Sequence, residues 1–232
     1  MDAKIINHVA IIPDGNRRWA KKNNLLISKG HEAGFEVLRK ILKECKDSGP
    51  KILSFYAFST ENFNRSQLEI KQLFSLLENV LDKFSQELKE NNIQLRISGS
   101  QTNLSQTLLK KLKQATTLCS SGDFILNICF NYGSQEEFIN IGKIIVKQSQ
   151  AGEIQEANIT KEYINSLLWN GDLPPVDLLI RTSDEYRISN FMLWQCAYAE
   201  FYFSSKLWPD FTAADFDIAL EEFQKRHRRY GT

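Results

Sequence analysis

Apolar positions along the chain fall into short continuous runs separated by longer stretches of helical spacing. The first run, His8 to Ile12, reads as a buried strand. Turn-forming Pro13–Asp14–Gly15–Asn16 breaks it, and a basic, aromatic helix start follows at Arg17–Arg18–Trp19. Lys21 to Lys29 reads as an irregular connection. Phe35, Leu38, Ile41, Leu42 and Cys45 then recur at helical spacing until Gly49–Pro50. Ile52 to Phe58 is a second strand, leading into the polar loop Ser59–Arg65.

Ser66 with Glu69 has the spacing of a capping box, and the helix behind it reaches about Glu90. Ile70, Leu73, Phe74, Leu77, Leu81, Phe84 and Leu88 line its main face, which Leu76 and Val80 widen. That surplus is consistent with a broad core contact, a partner subunit or an apolar ligand. Ile93–Ser98 and Phe124–Phe130 are further strands, with a helix carrying Leu104, Leu108, Leu112 and Leu118 between them. A helix begins at Ser134, where Glu137 is the expected capping partner, and a polar loop covers Gln148 to Asn158. A short helix from Thr160 precedes the strand Val176–Ile180; the last helix starts near Thr212 and runs towards a basic tail. Strands alternating with helices predict one α/β domain over residues 1–232, built on a mostly parallel sheet.

Composition narrows the chemistry. A formal charge of +1 over 232 residues gives no general nucleic-acid footprint, so any positive potential must be local. Cys45, Cys119, Cys129 and Cys196 are widely spaced, with no CxxC pair and no histidine at ligand spacing. That argues against zinc and predicts reduced thiols. No signal peptide is visible, and no apolar run approaches the ~18 residues of a membrane span. A cytoplasmic protein is therefore expected. Fifteen Phe, seven Tyr and four Trp are enough to line an apolar cavity as well as a core.

Three predicted strands end in loops that carry arginine: Arg17 and Arg18, Arg65, and Arg181 with Arg187. In a parallel sheet these loops emerge on one edge, where ligands bind. Several guanidinium groups gathered there repel one another unless they meet an anion, and Arg suits bidentate phosphate contacts. Asp14 among them fits a divalent cation shared with phosphate, as Mg²⁺ commonly is. It also fits a simple turn. Glu200 is a second candidate carboxylate, or a partner for one of the arginines.

The Asp14–Gly15–Asn16 turn before Arg18–Trp19–Ala20, Gly30–His31 and Tyr56–Ala57–Phe58–Ser59–Thr60–Glu61–Asn62 resemble the cis-prenyltransferases. So do Asp177–Thr182, Arg187–Ile188–Ser189–Asn190–Phe191, Leu193–Trp194–Gln195, Tyr198–Ala199–Glu200 and Trp208–Pro209–Asp210. The resemblance spans nearly the whole chain. It implies a homodimer of subunits with a six-stranded, mostly parallel sheet flanked by helices and a hydrophobic tunnel. The implied activity is Mg²⁺-dependent, repeated condensation of isopentenyl diphosphate onto an allylic diphosphate such as farnesyl diphosphate. The product would be a long-chain polyprenyl diphosphate for the lipid carrier of cell-wall glycans, delivered to the membrane.

Residue by residue, the resemblance makes Asp14 the metal-linked catalytic acid and Glu200 the second metal carboxylate. Gly15, Asn16, Arg17 and Arg18 fall on the phosphate loop, with Trp19 and His31 beside it. Ser59, Thr60, Glu61, Phe63 and Arg65 fall on the second loop around Asn62, which is assigned to proton removal or orientation. An amide is a poor proton acceptor, so orientation is the reading adopted. Arg181, Arg187, Ile188 and Ser189 form the isopentenyl diphosphate clamp, and Arg229–Tyr230–Gly231 resembles a tail packed near the dimer's active site.

Some positions depart from the family pattern. Arg17 replaces a glycine, Pro13 a methionine, Phe63 a tryptophan and Tyr186 a histidine, and Ser183–Asp184 replaces a Gly-Gly pair. Ile27 stands where a diphosphate-binding arginine is usual, so Lys29 or Arg17 is expected to compensate. Ala57 is small where short-product relatives are bulky, which favours a longer product. The alternative is a catalytically silent relative serving as partner subunit. An unrelated nucleotide-binding enzyme is disfavoured, because GxGxxG and GxxxxGK[ST] are both absent.

Overall fold

A computed structural model describes residues 6–226. The strands are β1 (His8–Ile12), β2 (Ile52–Ser59), β3 (Ile93–Ser98), β4 (Phe124–Tyr132), β5 (Leu178–Arg181) and β6 (Glu200–Phe203). They form one sheet in the order β3-β4-β2-β1-β5-β6. Every neighbouring pair is parallel, so the sheet is wholly rather than mostly parallel. The helices are α1 (Asn16–Lys22), α2 (Ile27–Ser48), α3 (Gln67–Glu90), α4 (Gln106–Leu118), α5 (Ser134–Gln150), α6 (Lys161–Leu167) and α7 (Ala213–Lys225).

After β1 the chain crosses to β2 on one side, while β5 later closes the other side. The carboxyl end of β1 is therefore a topological switch point, the usual place for a ligand crevice in such sheets. The Asp14 turn sits there. One face of the sheet packs a large core against α2, α3, α4 and α7, with Val9, Ile11, Leu53, Leu126 and Phe216 fully buried. The other face packs a smaller cluster of Tyr56, Tyr132, Phe191 and Met192.

A buried polar ladder crosses four strands of this all-apolar setting. Ser98 donates to Asn127 Oδ1 at 2.7 Å, and Asn127 Nδ2 donates to Ser54 Oγ at 2.9 Å. Ser54 lies 2.8 Å from His8 Nε2, and His8 Nδ1 lies 2.8 Å from the Pro174 carbonyl. A carbonyl only accepts, so the His8 proton is on Nδ1 and Ser54 donates to Nε2. Every link then has one donor and one acceptor.

Several elements differ from the sequence-based expectation. Lys21–Lys29 is not a continuous irregular connection: α1 runs to Lys22, and α2 already begins at Ile27. Gly30 lets these two helices approach closely, because a Cβ there would lie 2.2 Å from the Asn16 carbonyl oxygen. Ser66 caps α3 as expected, but the Glu69 carboxylate turns to arginine instead of closing the box. Gly133, not a side chain, precedes α5, and buried Glu137 accepts from Tyr132 Oη and the Trp169 N–H. Burial raises the Glu137 pKa, partly offset by these hydrogen bonds. The four cysteines are buried and free.

Candidate functional site

Gly15 takes φ +114°, a left-handed conformation that favours glycine, and so turns the chain sharply after β1. The Asp14 carbonyl is fixed from two sides, by the Thr182 hydroxyl at 2.7 Å and the Trp208 N–H at 2.9 Å. The Asp14 carboxylate is thereby held beside the end of β5. Arg181 Nη2 donates to Asp14 Oδ2 at 3.0 Å, and Arg18 Nη2 lies 3.7 Å from the same oxygen. The Arg181 side chain is only 4% exposed. Its Nη1 donates to Ser189 Oγ at 2.8 Å and to the Arg187 carbonyl, which shapes the loop after β5 around the guanidinium.

The loop after β2 supplies the facing wall. Asn62 Oδ1 accepts from the Ser59 N–H at 3.3 Å, and Ser59 Oγ caps the same turn. The amide oxygen is thus engaged, leaving Nδ2 to address a ligand. Arg65 Nη1 donates to Glu69 at 3.1 Å, and Arg17 Nε lies 3.5 Å from the same carboxylate oxygen. One buried acid therefore holds two cations at the site. His31 lies near them, and burial together with Arg65 and Arg17 pushes its pKa down to about 4. It is neutral at pH 7. Burial also lowers the Arg65 pKa, against the opposing influence of Glu69.

Of the six buried side-chain atoms without a hydrogen-bond partner among the described residues, four gather here: Asn16 Oδ1, His31 Nε2, Arg181 Nε and Ser183 Oγ. A buried polar atom left unpaired is costly. Their concentration around one turn is the signature of a site that a polar ligand completes. Two cavities meet here. A polar one of about 600 Å³ is lined by Asp14, Arg17, Arg18, Lys21, Leu25 and Arg65. An apolar one of about 300 Å³ runs inward past Ala57, Leu73, Leu76, Leu77, Val80 and Phe130. Pro13, Asp14, Asn16, His31 and Arg65 line both. The surplus apolar residues of α3, Leu76 and Val80, face this cavity. Ala57 lies where the β2–β4 register slips, and it is exposed because it opens into the same space.

Other expected site residues stand apart. Trp19 Nε1 donates to Asp210 at 2.7 Å, and Phe63 packs on Phe58 and Phe74; neither lines these cavities. The Arg187 guanidinium pairs with Glu185, not with Asp14. Ile188 packs against the smaller core, Thr60 donates to Glu61, and Glu61 accepts from Asn190 at 2.8 Å. Burial raises the Glu61 pKa, but the hydrogen bonds from Asn190 and neighbouring groups outweigh it and lower it overall.

The carboxylates of Asp14 and Glu200, both expected to serve a metal, lie apart within this chain. Glu200 opens β6 beside Leu178, three residues before Arg181, or about 10 Å further down the sheet. Its carboxylate accepts from Arg226 at 3.1 Å. Lys29 does not replace the missing arginine at Ile27, because it pairs with Glu32 at 2.6 Å outside both cavities. Arg17, the other residue expected to compensate, lines the polar cavity. Ser183 and Asp184 keep left-handed φ values of 84° and 58°, the conformation a Gly-Gly pair adopts freely. Tyr186 turns to Asp184 and Phe203, away from Asp14. Arg229–Tyr230–Gly231 lies outside the described residues.

Two contributors are invisible as site residues in the sequence. Glu69 looks like a helix cap, and only the fold shows it between Arg17 and Arg65. Asn190 belongs to a recognisable motif but carries no charge. Its Oδ1 accepts from the Gln135 N–H at 2.9 Å while its Nδ2 donates to Glu61, so it ties α5 to the second loop.

Residues 12–231 match the family profile described as "Putative undecaprenyl diphosphate synthase". The chain is 44% identical over 228 residues to the farnesyl-diphosphate-specific ditrans,polycis-undecaprenyl-diphosphate synthase of Haemophilus influenzae, covering 98% of this chain and 95% of that one. It is 43% identical over 230 residues to an isoprenyl transferase of Prochlorococcus marinus, covering 98% and 84%. In three dimensions it is similar to lavandulyl diphosphate synthase from Lavandula x intermedia in complex with dimethylallyl diphosphate. The TM-score is 0.94 at 33% identity, over 98% of this chain and 99% of that one. With its sheet, its arginine-flanked aspartate and its sequence in agreement, this chain belongs to the undecaprenyl diphosphate synthase family of prenyltransferases.

Proposed function

We propose that this protein is a cis-prenyltransferase that condenses isopentenyl diphosphate repeatedly onto farnesyl diphosphate to make a long-chain polyprenyl diphosphate. The carrying observation is the direct opening of a cationic cavity into an apolar one, with Asp14, His31 and Arg65 on the shared boundary. A ligand with a diphosphate head and a hydrocarbon tail satisfies both halves at once. The inner cavity is the start of the tunnel that would take the growing chain.

Arg17, Arg18 and Arg65 would bind the allylic diphosphate and stabilise its charge as the carbon–oxygen bond breaks. Arg181 and Ser189 would seat isopentenyl diphosphate beside it. The apolar walls keep water from the allylic cation, so that carbon–carbon bond formation and proton loss follow. Both ion pairs of Asp14 use Oδ2, which leaves Oδ1 for a cation. No group of three or more acidic, His or Cys ligands exists among the described residues, which suits Mg²⁺ bound by one carboxylate and substrate oxygens. A bound Mg²⁺ would supply further neutralisation of the departing diphosphate. The same reading makes the protein a cytoplasmic homodimer. No described helix is long and apolar enough to cross a membrane.

Incubation with farnesyl diphosphate and labelled isopentenyl diphosphate, with and without Mg²⁺, followed by product sizing, tests the proposal. Long products that require Mg²⁺ are expected. No product under any condition would return the chain to a silent partner subunit, a reading that the assembled Asp14–Arg181–Ser189 set disfavours.

Two variants probe the site. Asn62→Asp keeps the acceptor for the Ser59 N–H but replaces the free amide donor with a negative charge. It is expected to fold normally and lose about 100-fold in kcat/KM, the scale of one lost charge-stabilising donor. Activity at or above wild type would instead make position 62 a proton acceptor. Ala57→Leu fills the cavity beside Leu77 and Phe130, so the product distribution is expected to shorten by several isoprene units while the first condensation persists. An unchanged distribution would place the growing chain elsewhere.

A further inference from the structure

The mouth of the polar cavity has an unusual rim. Lys21 to Ile27 is exposed throughout, and its tip is Leu25–Leu26–Ile27, with Leu26 74% exposed. Leu26 occupies the N-cap position of α2 and makes no side-chain cap. Helix starts ordinarily favour Ser, Asn or Asp there, so neither capping nor burial accounts for the leucine. Across the mouth, Leu68 in the first turn of α3 is also 67% exposed. The two banks adjoin, since Ile27 and Ser28 share a crevice with Glu69 and Gln72.

Charge surrounds this apolar tip. Residues 17–29 contain Arg17, Arg18, Lys21, Lys22 and Lys29 and no acid, in a chain whose formal charge is +1. Asp14, Glu69 and Glu185 engage the two arginines, and Glu32 engages Lys29. Lys21 and Lys22 form no ion pair among the described residues. Exposed leucines beside two unpaired lysines match the requirements of an anionic lipid surface, into which apolar tips insert while cations meet headgroups.

We propose that the Lys21–Ile27 segment docks the protein on anionic bilayers, with the mouth of the active site facing the lipid. This rests on the prenyltransferase reading for its purpose: a long hydrocarbon product could leave the cavity for the membrane without crossing bulk water. The docking itself stands on the rim alone.

Co-sedimentation with phosphatidylcholine vesicles, with and without phosphatidylglycerol, tests it. Wild type is expected to bind the anionic vesicles, less at high salt, and to ignore pure phosphatidylcholine. Leu26→Asp should weaken binding about 10-fold, and Lys22→Glu about 5-fold. Aspartate is a better N-cap than leucine, so Leu26→Asp should melt no lower than wild type, and misfolding cannot mimic the loss. Both variants should retain lipid-free condensation activity, since neither side chain lines a cavity. Failure of wild type to bind anionic vesicles, or wild-type binding by Leu26→Asp, would overturn the proposal. So would a change in the solution mass of the assembly with Leu26→Asp, which would make the tip a protein contact. Vesicle binding without condensation activity would defeat the enzymatic reading and leave the docking intact.

Discussion

Arg181→Lys is expected to lower kcat/KM by about 100- to 1,000-fold, a loss of some 3–4 kcal/mol in transition-state stabilisation. Arg181 reaches three partners at once: Asp14 Oδ2, Ser189 Oγ and the Arg187 carbonyl. A lysine carries the same charge but only a compact ammonium, so it cannot span that fork. It also cannot reproduce the unpartnered Nε that waits inside the site. Steady-state kinetics in both substrates checks this. The fall should appear in KM for isopentenyl diphosphate as well as in kcat, while the melting temperature changes little because a cation still faces Asp14. Arg181→Met should do worse on both counts, since it removes the buried cation facing Asp14 and leaves that carboxylate only the exposed Arg18 at 3.7 Å. A lysine variant with wild-type kinetics would show that charge alone suffices there.

Acid is expected to unfold this protein earlier than its carboxylates alone require. Burial drives the His8 pKa down to about 4, against the raising influence of the Pro174 carbonyl and Asp177. Unfolded histidine titrates near 6.5, so the native state binds fewer protons than the unfolded state between the two values. The stability contributed by neutral His8 is therefore complete above pH ~6.5 and is lost progressively as pH falls towards 4. At about 1.4 kcal/mol per pH unit, the loss reaches about 3 kcal/mol. Protonation also puts a hydrogen on Nε2, so the Ser54 hydroxyl must turn from donor to acceptor there and its own hydrogen loses its partner. Urea unfolding of wild type and His8→Asn across this range checks the prediction. The variant should be less stable at pH 7 but should lose about 3 kcal/mol less on acidification. Parallel curves would remove His8 as the cause. His31 adds a second contribution of the same sign, and a bound diphosphate should oppose it by favouring the charged imidazole.

The expectations that held rest on local physics. Val9–Ile12 is an apolar run that is buried throughout, Ile93–Ser98 buries Ile93 and Leu95 and leaves Gln94 and Arg96 half-buried, and Ser66 and Thr212 are residues that satisfy free helix N–H groups wherever they stand. Arginines after β1, β2 and β5 meet on one edge because parallel strands share a direction. The expectations that failed involved side chains with two possible partners. Glu69 and Glu137 both had capping spacing, yet an arginine pair took the first and a buried tyrosine the second. Glu200 had two partners open to it, a metal or an arginine, and within this chain it accepts from Arg226.

Local pattern and charge thus determined the αβ alternation and the arginine-rich edge, and the resemblance of the motifs pointed to the family. Tertiary structure alone decided which carboxylate meets which arginine, that Arg17 lines the polar cavity while Lys29 pairs with Glu32 outside it, and that Leu76, Val80 and Ala57 enclose a cavity rather than a core. Backbone preference and hydrophobic spacing act over a few residues and can be read in order along the chain. Ion pairing and cavity shape depend on distances between segments far apart in sequence, and those distances exist only once the sheet has assembled.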